Sequence, residues 1–219
     1  MNSTQILVEP EAVEGGGASR DGESAGHPRR WWVLAVLCLS LFLVVVDNTI
    51  VNVALPTLSA DLDASTTQLQ WIVDAYTLVF ASLLLAFGHF GDRFGRRGAL
   101  ALGLVLFGAT SALAAFATSA GALIGVRALM GVGAALVFPA TLAILMNVFT
   151  DKKQRAAAIG IWSGATGMAV AAGPVAGGFL LEHFWWGSVF LVNVPIVVLA
   201  VVAVMAVVPP TTLMRATGR

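Results

Sequence analysis

The chain of 219 residues is 58% apolar and only 11% charged. Soluble domains carry about a quarter charged residues, so these ions are too few to cover a surface that faces water. The net charge of zero gives no reason to expect a nucleic-acid partner. Because the sequence also lacks a nucleophile elbow, a phosphate loop and paired carboxylates, we expect a membrane protein that is not an enzyme.

Residues 1–30 are rich in Gly, Glu and Ser, which predicts a disordered tail. The apolar segment after them is too long for a secretory signal and lacks a small-residue cleavage site. Six apolar segments follow, each near the ~20 residues that cross a bilayer as a helix. Because the runs are continuous and do not alternate, they exclude a membrane β-barrel and predict an all-α bundle of six transmembrane helices. The segments cover residues 31–54, 71–90, 99–117, 121–145, 157–181 and 188–208.

The basic residues are distributed to one side of this ladder. All 12 Lys and Arg residues except Arg127 lie in the tails or in loops that share a side, and the opposite loops hold none. The positive-inside rule therefore predicts a multi-pass protein of the cell (inner or plasma) membrane with both termini in the cytoplasm. Tryptophans at the predicted helix ends are expected to act as interfacial anchors; they are Trp31, Trp32, Trp71, Trp185 and Trp186.

Two residues of opposite charge, Asp47 and Arg127, lie inside apolar segments at similar predicted depth. Each is about two helical turns from the outer end of its segment, or about 10 Å below the outer surface. Equal depth permits an ion pair, directly or through Asn48 or water. Burial disfavours an ionised carboxylate while a nearby guanidinium favours it, so Asp47 is a candidate reversible proton carrier. The alternatives are a static ion pair, or Asp47 as the cap of a neighbouring helix.

Two further polar residues are candidates for contact with a substrate. Asp74 lies about one turn inside the second segment, and no basic residue near it in sequence neutralises it. It is either a wetted acid at the interface or a group that attracts a cationic substrate. Asn52 is either polar lining of a substrate path or a helix-end residue.

The loop between the second and third segments reads Gly-His-Phe-Gly-Asp-Arg-Phe-Gly-Arg-Arg over residues 88–97. Its small residues allow a tight reversal, and its acid and bases can fix the loop through charged hydrogen bonds. The charges alone would fit a plain basic cytoplasmic loop. The full spacing resembles the G-x-x-x-D-R-x-G-R-R signature of the major facilitator superfamily; the matching residues are Gly88, Asp92, Arg93, Gly95, Arg96 and Arg97.

Other stretches resemble the fourteen-helix drug:proton antiporter branch of that superfamily. Residues 47–56 match its D-x-T-x-V-N-V-A-L-P signature, and residues 127–135 are similar to its helix-4 arginine motif. Asn193, followed by Val and Pro, also resembles that branch. The resemblance covers roughly residues 31–208. The motif typical of its antiporters is matched in the fifth segment by Gly173, Pro174, Gly177 and Gly178, with Ala169 in place of an upstream glycine.

The fifth segment also has features that bear on packing. Proline in a helix removes a hydrogen bond, so the Gly173-Pro174 pair predicts a bend. Small residues four apart let helices approach closely. Both Gly160 with Gly164 and Gly173 with Gly177 therefore predict close helix contacts.

The resemblance implies the N-terminal half of a facilitator-superfamily transporter that exports small amphipathic or cationic compounds, such as drugs, in exchange for protons. It implies that Arg127, and with it Asp47, belongs to the proton-coupling machinery, and that Asp74 attracts a cationic substrate. Asn52 is a further candidate for substrate contact. The proton is the expected coupling ion, with no other cofactor. The expected partners are a small-molecule substrate, the lipid bilayer, and either a second copy or a missing C-terminal half.

A competing interpretation is a truncated, non-transporting membrane fragment or interaction protein. Residues 209–219 lack the acidic, loop-like sequence expected after the sixth helix. This favours either a truncated or frame-shifted product, or a chain that assembles with a second chain. An uptake symporter is disfavoured by the Gly-Pro motif of the fifth segment, by family analogy alone.

Overall fold

The computed structural model describes residues 29–208, apart from the side chains of residues 89–94. This range is helical and contains no strand. It has six spans long and apolar enough to cross a membrane, which confirms the predicted all-α bundle of six helices. Of the predicted tails, 1–30 and 209–219, residues 1–28 and 209–219 lie outside the described range, whereas Arg30 already belongs to the first helix. The helices are α1 (Arg30–Asp61), α2 (Thr66–Phe94), α3 (Arg96–Ala115), α4 (Ala120–Val148), α5 (Lys152–His183), α6 (Ser188–Leu191) and α7 (Asn193–Val207).

Several helices extend beyond the apolar segments because polar residues cap their first turns. The start of α2 is a capping box: the Ser65 hydroxyl accepts from the Gln68 N–H at 3.3 Å, and Gln68 Oε1 accepts from the Ser65 N–H at 2.9 Å. Such reciprocal bonds satisfy N–H groups that a helix start leaves unpaired. The start of α5 is capped by Asp151, which accepts from the Gln154 N–H at 2.9 Å. The predicted starts at residues 71 and 157 were therefore too late.

The first helix also ends later than predicted. α1 has 32 residues and continues through Pro56 to Asp61, whereas the sequence places its end at residue 54. A proline removes one hydrogen bond of a helix, and here the helix continues beyond it. At ~1.5 Å per residue α1 is about 48 Å long, more than the ~30 Å hydrocarbon core of a bilayer.

The sixth span is divided into α6 and α7 at Val192. Pro195, in the first turn of α7, has no N–H and cannot bond to the carbonyl of Leu191. Val192 keeps a right-handed helical backbone, with φ −60° and ψ −26°, so the interruption is local. Such a junction leaves backbone carbonyls available to side chains of neighbouring helices.

The helix α4 packs against both α2 and α3, while α1 packs against α5 and α3 against α7. The contact between α4 and α3 needs two glycines. A Cβ added at Gly103 would lie 2.9 Å from the Gly133 carbonyl oxygen, and a Cβ added at Gly133 would lie 2.9 Å from the Gly103 carbonyl oxygen. On the neighbouring face, a Cβ at Gly131 would meet the α2 backbone at the Tyr76 carbonyl at 2.6 Å. Small residues thus let α4 approach both neighbours closely.

Aromatic residues mark the ends of the bundle. The rings of Trp31 and Phe149 lie 5.4 Å apart, so the start of α1 and the end of α4 share one end, as an alternating ladder requires. Trp31, Trp32, Trp71 and Trp185 are exposed, as interfacial anchors should be. The prediction for Trp186 was wrong, because this ring is buried and packs edge-to-face against Phe190 of α6.

Candidate functional site

The structure brings Asp47 of α1 and Arg127 of α4 into direct contact inside the bundle. Arg127 Nη1 donates to Asp47 Oδ2 at 2.5 Å, and both side chains are fully buried. The contact needs neither Asn48 nor water. Asp47 and Arg127 thus meet at one depth in the bundle, and α1 continues from there to Asp61.

Arg127 is also held by α2. Its Nε donates to the backbone carbonyl of Ile72 at 3.1 Å, and its Cζ lies 4.3 Å from the centre of the Tyr76 ring. The face of an aromatic ring attracts a guanidinium. The Tyr76 hydroxyl donates to the carbonyl of Val44, on α1, at 3.4 Å. Within the described range the Nη2 atom is buried and has no hydrogen-bond partner.

The second oxygen of Asp47 meets the start of α7. Asn193 Nδ2 donates to Asp47 Oδ1 at 2.8 Å and also to the Ser111 hydroxyl oxygen, on α3, at 3.0 Å. That hydroxyl donates onward to the carbonyl of Phe190, on α6, at 2.8 Å. Residues of α1, α2, α3, α4, α6 and α7 therefore form one connected polar network in the interior, called here the Asp47 network.

The Asp47 network fits an ionised carboxylate. An ionised carboxylate only accepts hydrogen bonds, and each Asp47 oxygen receives a donor, from Arg127 on one side and Asn193 on the other. A proton on either oxygen removes the negative charge that strengthens both hydrogen bonds. Proton uptake at Asp47 therefore weakens its contacts with Arg127 and Asn193.

The sequence identified Asp47 and Arg127 but missed most of their partners. Asn193 was noted only for its family resemblance, and Ser111 and Tyr76 were not assigned a role. Tyr76 carries a weak signal, because it is the one tyrosine of the chain and lies at helical spacing from Ile72. Neutral polar residues such as Ser111 are common inside apolar helices, so their pattern alone does not point to a site.

Asp74 and Asn52 lie away from the Asp47 network, on exposed faces of α2 and α1. Ile72 and Tyr76, on either side of Asp74, are buried against α4, so Asp74 faces away from that contact. Asn52 Nδ2 donates to the carbonyl of Asn48 in its own helix at 3.1 Å. The structure does not bring these two predicted substrate contacts together with the ion pair.

The fifth-helix motif packs against the turn of α1 that follows Asp47. A Cβ added at Gly173 would overlap the Thr49 hydroxyl, and one at Gly177 would lie 2.9 Å from Ile50 Cγ1. Gly178 has open space around it, and Pro174 is exposed within an α5 that stays one helix. The Gly173–Gly177 face thus makes the predicted close contact.

The other glycine pair of α5 does not pack as predicted. Cβ atoms added at Gly160 and Gly164 would meet nothing within 4 Å. Both residues lie on an exposed face of the helix, where no described residue packs against them. The prediction of a close helix contact at this pair was wrong for this bundle.

The loop motif of residues 88–97 is described in part. Gly95 precedes α3 with φ 95°, a conformation that a residue with a side chain rarely adopts. Arg96 Nη1 donates to the carbonyl of Ala143, on α4, at 2.9 Å. Arg97 Nη2 donates to the carbonyl of Met205, one of the carbonyls that the end of α7 leaves unpaired.

The remaining residues of the loop motif add less. A Cβ at Gly88 would meet nothing within 4 Å, and the Asp92 and Arg93 side chains lie outside the described part of the chain. Among the described residues, no group of three His, Cys, Asp or Glu side chains is placed to hold a metal.

Residues 37–218 match the Major Facilitator Superfamily. The multidrug efflux pump LfrA of Mycolicibacterium smegmatis is 51% identical over 168 residues, which are 77% of this chain and 33% of that protein. The methyl viologen resistance protein SmvA of Salmonella typhimurium is 47% identical over 169 residues, 77% of this chain and 34% of that protein. The tetracenomycin C resistance and export protein of Streptomyces glaucescens is 38% identical over 201 residues, 92% of this chain and 36% of that protein.

The chain spans about a third of the length of these curated relatives. The family match extends over most of the chain and includes every residue of the Asp47 network. With six apolar spans and a family match of this extent, the chain is a multi-pass membrane protein. The chain belongs to the Major Facilitator Superfamily.

Proposed function

We propose that the chain is one half of a proton-driven exporter of small amphipathic or cationic compounds, such as drugs, across the cell membrane. The observation that carries the proposal is the Asp47–Arg127 pair, fully buried inside membrane-spanning helices. Ionisable residues at such depth are costly and typically mark ion or proton pathways. The names of the relatives supply the class of cargo, since one is a multidrug efflux pump and another a methyl viologen resistance protein.

The proposed coupling rests on the charge of Asp47. When Asp47 takes up a proton, Arg127 loses its counter-charge, and an uncompensated buried guanidinium is strongly unfavourable. The two protonation states therefore favour different arrangements of α1 and α4. Rocking of this half against another would convert that preference into alternating access. Asp74 and Asn52, on exposed faces of α2 and α1, are proposed to contact the cargo, with Asp74 attracting its positive charge.

The proposal includes a second set of helices. In the most apolar stretches of α2 and α5 only 17% of the residues are buried, against 61% in those of α1 and α4. Transporters with two such halves bind substrate near the bilayer midplane, where the halves meet. A second copy of the chain, or a C-terminal half, would cover the exposed helices.

The test is drug-driven proton movement. The chain would be expressed in an efflux-deficient bacterium, and everted vesicles with an acidified interior would receive methyl viologen while a pH-sensitive dye follows proton release. We expect release when two copies of the wild-type chain pair in the membrane, and at least a tenfold lower rate with Asp47→Asn. Asp61→Asn, which changes an exposed acid at the end of the same helix, is the matched control.

Two outcomes would contradict the proposal. Full drug-driven proton release by Asp47→Asn would remove Asp47 from the coupling. Absence of any release from the wild-type chain, with the protein a pure monomer in the membrane, would favour the non-transporting membrane fragment or interaction protein.

A further inference from the structure

The Asp47 network contains an amide that holds the carboxylate from the side opposite Arg127. Asn193 is 1% exposed, and its Nδ2 lies 2.8 Å from Asp47 Oδ1 and 3.0 Å from Ser111 Oγ. Arg127 occupies the other carboxylate oxygen, Oδ2. The two donors therefore hold the carboxylate from both sides, although Asn193 and Asp47 are 146 positions apart in sequence.

Ser111 determines which end of the amide faces Asp47. A serine hydroxyl has a single proton, and Ser111 donates it to the Phe190 carbonyl at 2.8 Å. Its oxygen can therefore only accept from Asn193, so the amide must turn its NH₂ group towards Ser111. The other N–H of the same NH₂ group donates a hydrogen bond to Asp47. The amide therefore acts on Asp47 as a hydrogen-bond donor.

The Phe190 carbonyl anchors this arrangement in the divided sixth span. It lies in α6, one residue before Leu191. The Leu191 carbonyl has no helical partner, because Pro195 has no N–H. The hydroxyl from α3 and the amide at the first position of α7 thus meet on either side of the junction at Val192.

We propose that Asn193, oriented by Ser111 and the Phe190 carbonyl, is a positioning residue that sets the pH at which Asp47 exchanges its proton. A donor that bonds the ionised form favours that form. Removing the amide donor therefore makes protonation of Asp47 easier and moves its exchange to higher pH. The role in transport rests on the proposed function, whereas the effect on Asp47 itself does not.

Few other ionisable side chains lie close enough to Asp47 to change the pH at which it exchanges its proton. The charged or titratable side chains that face Asp47 are Arg127 of α4 and Tyr76 of α2, which lies beneath Arg127. The sequence contains no ionisable residue in α3 after Arg97, in α5 between Arg155 and Glu182, or anywhere in α6 and α7. A change at Asn193 or Ser111 is therefore read out through Asp47 and its pairing with Arg127.

The experiment is an infrared pH titration of the complete chain in lipid nanodiscs, without drug or gradient. The protonated carboxyl band that Asp47→Asn abolishes is assigned to Asp47. With Asn193→Leu, which is close in size and has no donor, we expect the midpoint of that band about one pH unit higher, the effect of one hydrogen bond to a charged group. Ser111→Ala should shift it in the same direction by less, because the amide loses its orienting partner but keeps its donor.

Asn147→Ala removes an exposed amide of α4 and should leave the midpoint unchanged. Circular dichroism and size-exclusion chromatography identify folded variants, and if Asn193→Leu does not fold, Ser111→Ala carries the test. A midpoint equal to wild type in the folded Asn193 and Ser111 variants would overturn the inference, since a merely structural role lowers stability without moving the titration. An Asp47 band that never titrates in the folded wild-type chain would also overturn it.

The same variants separate this inference from the proposed function. If the infrared midpoint shifts as expected and drug-driven proton release follows with the same shift in its pH profile, both stand. If the midpoint shifts while Asp47→Asn still releases protons normally with methyl viologen, the proposed coupling fails and the positioning of Asp47 by Asn193 remains.

Discussion

Asp47 and Arg127 form a buried ion pair. Such a pair adds little net stability when it is intact, but removing one partner is strongly destabilising. Withdrawing both charges from solvent is expensive, and their attraction offsets that cost only when the geometry and the remaining hydrogen bonds are good. Here Arg127 has three contacts, with Asp47, the Ile72 carbonyl and the Tyr76 ring. We therefore expect the pair to be fragile towards single changes and tolerant of a joint apolar replacement.

The prediction for the pair is a double-mutant cycle. Arg127→Leu should lower the free energy of unfolding by about 3–5 kcal/mol, because it leaves the Asp47 charge buried and uncompensated. The double variant Asp47→Leu with Arg127→Leu should recover much of that loss. Reversible unfolding of the purified chain in detergent measures both, and Asp61→Asn, at an exposed site, should stay within about 0.5 kcal/mol of wild type. A double variant that loses as much stability as Asp47→Leu and Arg127→Leu added together, each measured alone, would contradict the argument.

At this scale, sequence reasoning found the charges and missed the neutral polar residues. A charge in an apolar segment stands out against its neighbours, and depth along the helix suggested which two would meet. Asn193 and Ser111 do not stand out, because an amide or hydroxyl is tolerated in many apolar helices. Their partners are 146 and 79 positions away, and only the packing of α3, α6 and α7 around α1 places them together.

At the scale of the helices, α5 packs against the turn of α1 that follows Asp47 and supports the Asp47 network from outside. Thr49 and Ile50, on the turn after Asp47, lie against Gly173 and Gly177 with no room for a side chain. Any residue larger than glycine at position 173 must push α5 away from α1. That displacement would be transmitted to the turn of α1 that carries Asp47.

Gly173→Ala tests this contact, with Gly178→Ala as its match in the same helix. We expect Gly173→Ala to cost about 1–3 kcal/mol of unfolding free energy through overpacking. Gly178→Ala should be neutral or slightly stabilising, because its Cβ meets nothing within 4 Å and alanine favours a helix over glycine. Denaturation of both variants in the same detergent gives the comparison, and equal stability of the two would refute the close approach.

The helix ends show where sequence reasoning falls short at the scale of elements. Apolar runs located all six spans, because hydrophobicity reports the part of a helix inside the membrane. They do not report the polar turns beyond it. The start of α2 depends on the Ser65–Gln68 capping box, a pattern visible in sequence but outside the apolar run, and the extension of α1 through Pro56 is not signalled by propensity.

At the scale of the whole molecule, the helices differ in how much of their surface is buried, whereas the residues of the Asp47 network are all buried. The Asp47 network is enclosed by six of the helices, whereas α2 and α5 leave wide faces uncovered. The interior of the bundle is therefore enclosed, while the outer faces of α2 and α5 are exposed. Under the proposed function, the proton site would be complete within one half and the cargo site would need two. The titration of Asp47 and the transport of drug are therefore tested separately.

The orientation of the bundle is a further prediction at this scale, and α5 is the helix that tests it. Its 32 residues extend about 48 Å at ~1.5 Å per residue, so its two ends must lie on opposite sides of a ~30 Å hydrocarbon core. Lys153 lies at one end and Glu182 at the other, and both are exposed. The positive-inside rule assigns the Lys153 end to the cytoplasm.

The measurement uses single cysteines in a Cys38→Ser background, since Cys38 is the only native cysteine. In intact cells a membrane-impermeant maleimide should label Glu182→Cys and leave Lys153→Cys unlabelled. In everted vesicles the pattern should reverse, and detergent should expose both sites equally, which controls for reactivity. Labelling of Lys153→Cys in intact cells would invert the topology and place the termini outside.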